Sequence, residues 1–316
     1  MSIHIPNSLP NRGLDYKRLK TPSTRPSLFK LHTLAAFIGP RGSGKTNAAV
    51  LLAQKYMEDE SFTRIFIMSP TIESNRVFDL LNVPDHDTFK NIHNALADLD
   101  IIIARVGNDV EEYEKAKEYS RIHKKWRRFV KGKGPPLEVK EMNILENNNF
   151  RAGATVPRPS PLLIIDDMSH SDIYSTSRRN SFVNLCLRHR HLHRVGMSIF
   201  MLVQNFKSGI PKCLRQNIQQ FFLWPTHDMT QLQSMYQEFA NLCTYEDFEA
   251  MYHTCTSQKH DFMSIDLNAS DDLLRFRKCF DEMVLPPSIA DSNLISELQS
   301  QETKSEKQAR KKLKNA

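Results

Sequence analysis

Short, nearly all-apolar runs recur along the middle of the chain, separated by stretches with helical spacing. They are Thr33-Leu-Ala-Ala-Phe-Ile38, Arg64-Ile-Phe-Ile-Met68, Leu162-Leu-Ile-Ile165, Met197 to Val203, and Gln220-Phe-Phe-Leu-Trp224. Runs of this length without polar alternation predict strands buried on both faces. A helix is expected through Asn47-Ala-Ala-Val-Leu-Leu-Ala53, and two more from Met229 to Ala240 and from Tyr245 to Tyr252. A last strand is expected at Phe262-Met-Ser-Ile-Asp266. The alternation predicts an α/β fold, with a mainly parallel sheet covered by helices on both faces.

More than 90 residues separate the second and third apolar runs, far more than a minimal connection needs. This stretch, about 85–160, is polar and is predicted to be a helical insertion, with helices at 88–99 and 109–130. It closes in Gly132-Lys-Gly-Pro-Pro136 and a loop around Arg151-Ala-Gly-Ala154. Residues 1–30 read as an extended arm and 31–270 as the main domain. Residues 271–296 read as a C-terminal extension and 297–316 as a charged, disordered tail.

An apolar content of 40% supports a sizeable core in a chain of 316 residues. No apolar run approaches the ~18 residues of a membrane span. The N-terminus has no apolar stretch after a basic start, so no secretory signal is expected. The five cysteines include no CxxC pair, which points to a reduced, intracellular chain.

Gly39-Pro-Arg-Gly-Ser-Gly-Lys-Thr46 fits the phosphate-loop pattern GxxxxGK[ST] and sits between a predicted strand and a predicted helix, as that motif requires. Gly39, Pro40, Arg41, Gly42, Ser43, Gly44, Lys45 and Thr46 are the candidate nucleotide-binding residues, for ATP. Glycines let successive backbone N–H groups turn toward a phosphate, and the helix N-terminus adds partial positive charge. Lys45 reaches the outer phosphates, and the Thr46 hydroxyl is a candidate ligand for Mg2+.

Leu162-Leu-Ile-Ile-Asp-Asp167 ends an apolar strand in two carboxylates, a candidate Walker B segment. Asp166 is assigned to the metal and Asp167 to the base that polarises an attacking water. Gln204 follows the fourth strand, at the end where parallel sheets place their ligands, and can contact a phosphate or orient water.

The ordered set GPRGSGKT, LLIIDD, RHRHLHRVGMSIFMLVQNF and GIPKCLRQN resembles the genome-packaging ATPases of poxviruses, giant viruses and related elements, a branch of the FtsK/HerA superfamily. The resemblance spans roughly residues 31–225. It implies an additional-strand, RecA-like P-loop core, two Walker B acids, a strand-end Gln matched by Gln204, and a Pro…Arg-x-Asn segment matched by Pro211 and Arg215-Gln216-Asn217. Asp167 stands where that branch usually has Glu. The resemblance further implies a homo-oligomeric ring that pulls double-stranded DNA into a capsid. Its partners would then be DNA and a capsid or portal-vertex protein. Its place would be an intracellular site of virion assembly, in nucleus or cytoplasm, or the virion.

Ring ATPases supply an arginine to a neighbour's γ-phosphate. Arg188, Arg190, Arg194 and Arg215 are the candidates, with Arg215 favoured; it could equally pack within its own subunit. His189 and His193 would share a helix face, but no third ligand is evident and no zinc site is expected.

The balance of 43 Lys+Arg against 36 Asp+Glu gives +7. Residues 115–134 alone hold nine Lys/Arg against one Glu, with Trp126 and Phe129 among them. The tail 301–316 holds six Lys/Arg against two Glu. The remainder is therefore acidic, and a polyanion should meet these two segments. Lys124, Lys125, Arg127 and Arg128 are the candidate nucleic-acid contacts. The alternative is an amphipathic helix docked on the core through Ile122, Trp126, Phe129 and Val130. Two other functions fit the same motifs: a small-molecule kinase using the basic insertion as a lid, and a nucleotide-gated DNA-binding or scaffolding protein without turnover.

Overall fold

The apolar runs become strands of a single sheet. In the computed structural model these are β1 (Leu34–Ile38), β2 (Arg64–Met68), β3 (Thr88–Phe89), β4 (Pro161–Asp166), β5 (Ser198–Val203), β6 (Gln220–Leu223), β7 (Met263–Asp266), β8 (Phe276–Lys278) and β9 (Glu282–Met283). The structure describes residues 28–147, 150, 156–169, 171–175, 180–269, 271 and 274–290. The loop around Arg151–Ala154, the tail, and all but the last three residues of the N-terminal arm lie outside the described residues. The helices are α1 (Lys45–Glu58), α2 (Ala95–Val130), α3 (Val139–Glu146), α4 (Ser181–Arg188), α5 (Phe206–Gly209), α6 (Lys212–Arg215), α7 (Met229–Tyr236), α8 (Tyr245–Cys255) and α9 (Pro287–Ala290). Among the described residues, no helix is long and apolar enough to cross a membrane.

The strand order is β3-β2-β4-β5-β1-β6-β7-β8-β9. From β3 to β6 every pairing is parallel, so the C-terminal ends of these strands share one edge. From β6 to β9 the pairings are antiparallel. Alternate side chains feed two cores. Ala36, Met68, Ile165 and Met201 face the core closed by α2, α4, α7 and α8. Phe37, Ile67, Ile164 and Leu202 face the core closed by α1 through Ala49, Leu52, Ala53 and Tyr56. Burial on both faces explains why these strands carry no polar alternation. The helices start where polar side chains take up loose N–H groups. The Asn180 carboxamide accepts from Phe182 and Val183, Asp228 accepts from Gln231, and Thr244 accepts from Asp247.

Three expected elements differ. Helices expected at 88–99 and 109–130 are replaced by the two-residue strand β3 and one continuous 36-residue helix, α2. Thr88 and Phe89 pair with Ile67 and Met68 at the sheet edge, and the Phe89 carbonyl accepts from Ser69. The β-branched and glycine-containing stretch 100–108 stays helical because Leu99, Ile102 and Val106 recur on one buried face, and packing overrides weak propensity. Gly107 is kept small by a neighbour: a Cβ there would lie 3.2 Å from the His193 ring. The strand expected at Phe262–Asp266 forms, but it opens an antiparallel extension with β8 and β9.

Helix α2 has two halves. Ala95, Leu99, Ile102 and Val106 belong to the core, whereas Ala116, Tyr119 and Ile122 are buried outside both cores. This second half packs with α3, and the Tyr119 and Phe150 rings lie 5.9 Å apart. Arg64, at the start of β2, bonds Asp109 at 2.9 Å. Helix α2 therefore runs down the sheet toward the N-terminal ends of the strands. Beyond Asp109 it continues for about 30 Å, at ~1.5 Å per residue.

Candidate nucleotide site

The phosphate loop connects β1 to α1 at the C-terminal edge of the sheet. Two glycines in it are required by geometry. A Cβ on Gly39 would lie 2.5 Å from the Trp224 Cβ, and Gly44 has φ of 101°, where an L side chain is strained. Lys45 is buried, and its ammonium donates to the Gly39 and Pro40 carbonyls at 2.8 and 2.9 Å. Burial lowers its pKa, partly countered by the nearby Asp166 and Asp167.

The Thr46 hydroxyl donates to Asp166 Oδ2 at 3.0 Å. Asp166 ends β4, where it pairs in register with Leu202 of β5. Burial raises its carboxyl to about 6; the Thr46 hydroxyl lowers it, Asp167 adds to the rise, and Lys45 lowers it further. Hydroxyl and buried carboxylate oxygens side by side are the hard donors that suit Mg2+. Asp167 follows with a left-handed backbone, φ 54°. That turn sends its carboxylate sideways to Gln204, whose Nε2 donates to Oδ1 at 2.9 Å. The two adjacent acids thus hold different partners.

These groups line one cavity of about 380 Å3, together with Arg41, Gly42, Gly44, Asn47, Thr71, Ser74, Asn75, Leu202 and His260. The structure therefore brings Lys45, Thr46, Asp166, Asp167 and Gln204 together from three strand ends. Sequence reading missed Thr71, Ser74 and Asn75, although polar residues after the second strand were the available signal. It also missed His260, more than 200 residues from the loop it touches, for which the sequence held no signal. A larger cavity of about 490 Å3 lies at the opposite edge, around Arg64, Asp87 and Asp109. Arg64 there is bonded to both Asp87 and Asp109.

The arginines go elsewhere. None of Arg188, Arg190, Arg194 or Arg215 lines the phosphate cavity; its arginine is Arg41. Arg215 donates to the Ile210 and Lys207 carbonyls of its own chain at 2.8 and 2.5 Å, and lies 4.9 Å over the Phe206 ring. The segment from His189 to Arg194 is not a regular helix, since Leu192 and His193 break it. His189 is consequently buried between the Cys186 and His32 carbonyls, while His193 is exposed and meets the Ile103 carbonyl, so the two do not share a face.

The far half of α2 exposes its basic end. Lys124, Arg127 and Arg128 are exposed, whereas Lys125 is half-buried and bonded to Glu141 at 2.6 Å. The docked apolar face is only partly present: Ile122 is buried, but Trp126, Phe129 and Val130 remain 42%, 43% and 63% exposed. Lys115, Lys117 and Arg121 each sit within 4 Å of a glutamate one turn away, so the unbalanced charge gathers near the tip.

A family model described as PhoH-like protein matches residues 24–134, roughly a third of the chain, including the phosphate loop. No curated protein sequence matches. Among solved structures, the genome packaging NTPase B204 from Sulfolobus turreted icosahedral virus 2, in complex with ATP-gammaS, is similar at 9% identity and a TM-score of 0.45, over 83% of this chain and all of that one. B204, the DNA-packaging ATPase from Sulfolobus turreted icosahedral virus, gives 11% and 0.43, over 78% and 97%. EssC (ATPases 2 and 3) from Geobacillus thermodenitrificans gives 15% and 0.39, over 65% of this chain and 34% of its own. At these identities and scores nothing about activity passes from those proteins to this chain. The fold speaks through its own topology: β5 lies between β1, which leads into the phosphate loop, and β4, which ends in the acidic pair. That inserted strand is the arrangement expected of an additional-strand, RecA-like P-loop sheet.

Proposed function

We propose that the chain is an ATP-hydrolysing motor that moves double-stranded DNA into a preformed capsid, acting as a homo-oligomeric ring at a portal-vertex protein. The observation that carries the hydrolytic part is the division of labour between the two acids. Asp166 shares a hydrogen bond with Thr46 beside Lys45, and Asp167 is held by Gln204 at the same cavity. Thr46 and Asp166 would hold Mg2+, which when bound neutralises charge on the outer phosphates. The phosphate-loop amides and Lys45 bind and orient the polyphosphate. Asp167 takes a proton from the attacking water, and Gln204 fixes both the carboxylate and the line of attack. A protein that only binds nucleotide needs no such pair.

DNA as the partner is supported by the exposed basic and aromatic end of α2 and by the sequence resemblance to packaging ATPases. The course of α2 also counts against a kinase lid, because its basic end points away from the phosphate edge. The test is ATP turnover with and without double-stranded DNA at low salt, with oligomer mass measured on the same sample. Turnover should rise with DNA and vanish in Lys45→Ala. Turnover indifferent to DNA would remove the motor reading, and transfer of phosphate to a metabolite would replace it with a kinase.

A further inference from the structure

The apolar stripe of α2 runs on past the point where its cover ends. Ala116, Tyr119 and Ile122 recur at helical spacing and are buried, and Trp126, Phe129 and Val130 continue the same face into solvent. The rings there are held in place. Trp126 leans on the His123 imidazole at 5.5 Å, and His123 stacks on Tyr119 at 5.9 Å with the planes 14° apart. Tyr119, the root of this ladder, is buried. The helix end beneath Phe129 is closed by backbone bonds. Gly132 donates to the Phe129 carbonyl at 2.8 Å and Lys133 to the Arg128 carbonyl at 2.9 Å, with Gly132 left-handed at φ 67°. At about 100° per residue, Arg127 and Arg128 flank the stripe on its two sides. Lys124, Lys131 and Lys133 are exposed beside them, and Lys125 already occupies the nearby Glu141.

We propose that this tip binds DNA where unpaired bases adjoin duplex, with Trp126 and Phe129 stacked on the open bases and Arg127 and Arg128 on the flanking phosphates. The proposal rests on the DNA reading above and adds which DNA the tip selects. Cations alone serve the phosphates of continuous duplex, whose bases are covered by their own stack. Two rigid rings set in water among those cations match a different surface, an exposed base plane beside a phosphate. The surplus of positive charge commits the patch to a polyanion. Stacking accepts any base with a π-face, so the tip should select a gap or a strand end without regard to sequence.

The test is equilibrium binding of the full chain, at one low salt concentration, to a continuous duplex and to the same duplex carrying a short single-stranded gap. The gapped duplex should bind about 30-fold more tightly. Trp126→Ala should weaken gapped-duplex binding about 10-fold and Phe129→Ala about 3-fold, with continuous-duplex binding unchanged in both. Trp126→Phe should keep most of the preference. Tryptophan fluorescence gives a second readout, because the chain's other tryptophan, Trp224, is buried. The gapped duplex should quench the parent and the continuous duplex should not. Equal affinity for the two DNAs, or a gap preference that survives both alanine replacements, would overturn the proposal while leaving the DNA reading intact. Trp126-dependent binding of phosphatidylserine vesicles by a chain without gap preference would also overturn it and assign the rings to a lipid surface. Failure to bind either DNA would remove the DNA reading and this proposal with it.

Discussion

Asp166 carries the residue-scale cost of the site. Burial lifts its carboxyl from the usual 3.8 to about 6, so the folded chain holds that proton more tightly than the unfolded chain does. The stability this contributes is complete below pH ~4 and is lost as pH rises through about 6. Without metal or nucleotide, Asp166→Asn should therefore be more stable than the parent above pH 6, by up to about 3 kcal/mol, with the gap closing below pH 4. Denaturant unfolding in chelator across that range checks it; a gap independent of pH would show that the carboxylate is not the cause. The same strain suits a metal ligand, since a divalent cation stabilises the charge that burial penalises.

At the scale of elements, α2 combines two tasks that its sequence blends together. Its first half covers the sheet, and its second half carries Lys124, Arg127 and Arg128 into solvent. Replacing those three by Ala should lower the slope of log affinity for duplex DNA against log salt by about 3, at ~0.9 per phosphate contact. Adding Lys125→Ala should change the slope little, because Glu141 already pairs with it. A slope unchanged by the triple replacement would make the tip an ordinary solvated surface. The β1, β2, β4, β5 and β6 strands were legible because uniform apolar runs have few other uses, and Lys45, Thr46, Asp166, Asp167 and Gln204 because they follow those runs directly. The continuity of α2 was not legible: Ile101-Ile-Ile103 and Gly107 favour other conformations locally, and only the packing of Leu99, Ile102 and Val106 decides for helix. The break at Leu192 and His193 was hidden for the same reason, since alternating Arg and His give no periodic signal. Strands β8 and β9 escaped because three- and two-residue segments draw their stability from partners rather than from their own pattern.

For the whole molecule, the edge opposite the nucleotide site is fastened by charge. Asp87 is buried, and Arg64 and Arg105 bond it at 2.7 and 2.8 Å. Burial alone would raise its carboxyl, but the bonds from Arg64 and Arg105 outweigh burial and lower it. Arg64 also bonds Asp109 of α2. Asp87→Ala removes the buried carboxylate that Arg64 and Arg105 share, leaving Arg64 only Asp109, and should cost about 3 kcal/mol of stability, while ATP affinity below the unfolding midpoint stays unchanged. Unfolding curves and binding on one preparation separate the two; lost affinity in a fully folded sample would mean the edges are coupled. The fastening matters because of what hangs from it. Helix α2 leaves this edge as a rigid rod about 30 Å long, clamped at Asp109 and loaded at Lys124, Arg127 and Arg128. A rod clamped at one end is a lever: a tilt of only about 6° at the clamp sweeps the tip by about 3 Å, close to the ~3.4 Å rise between successive phosphates of one strand.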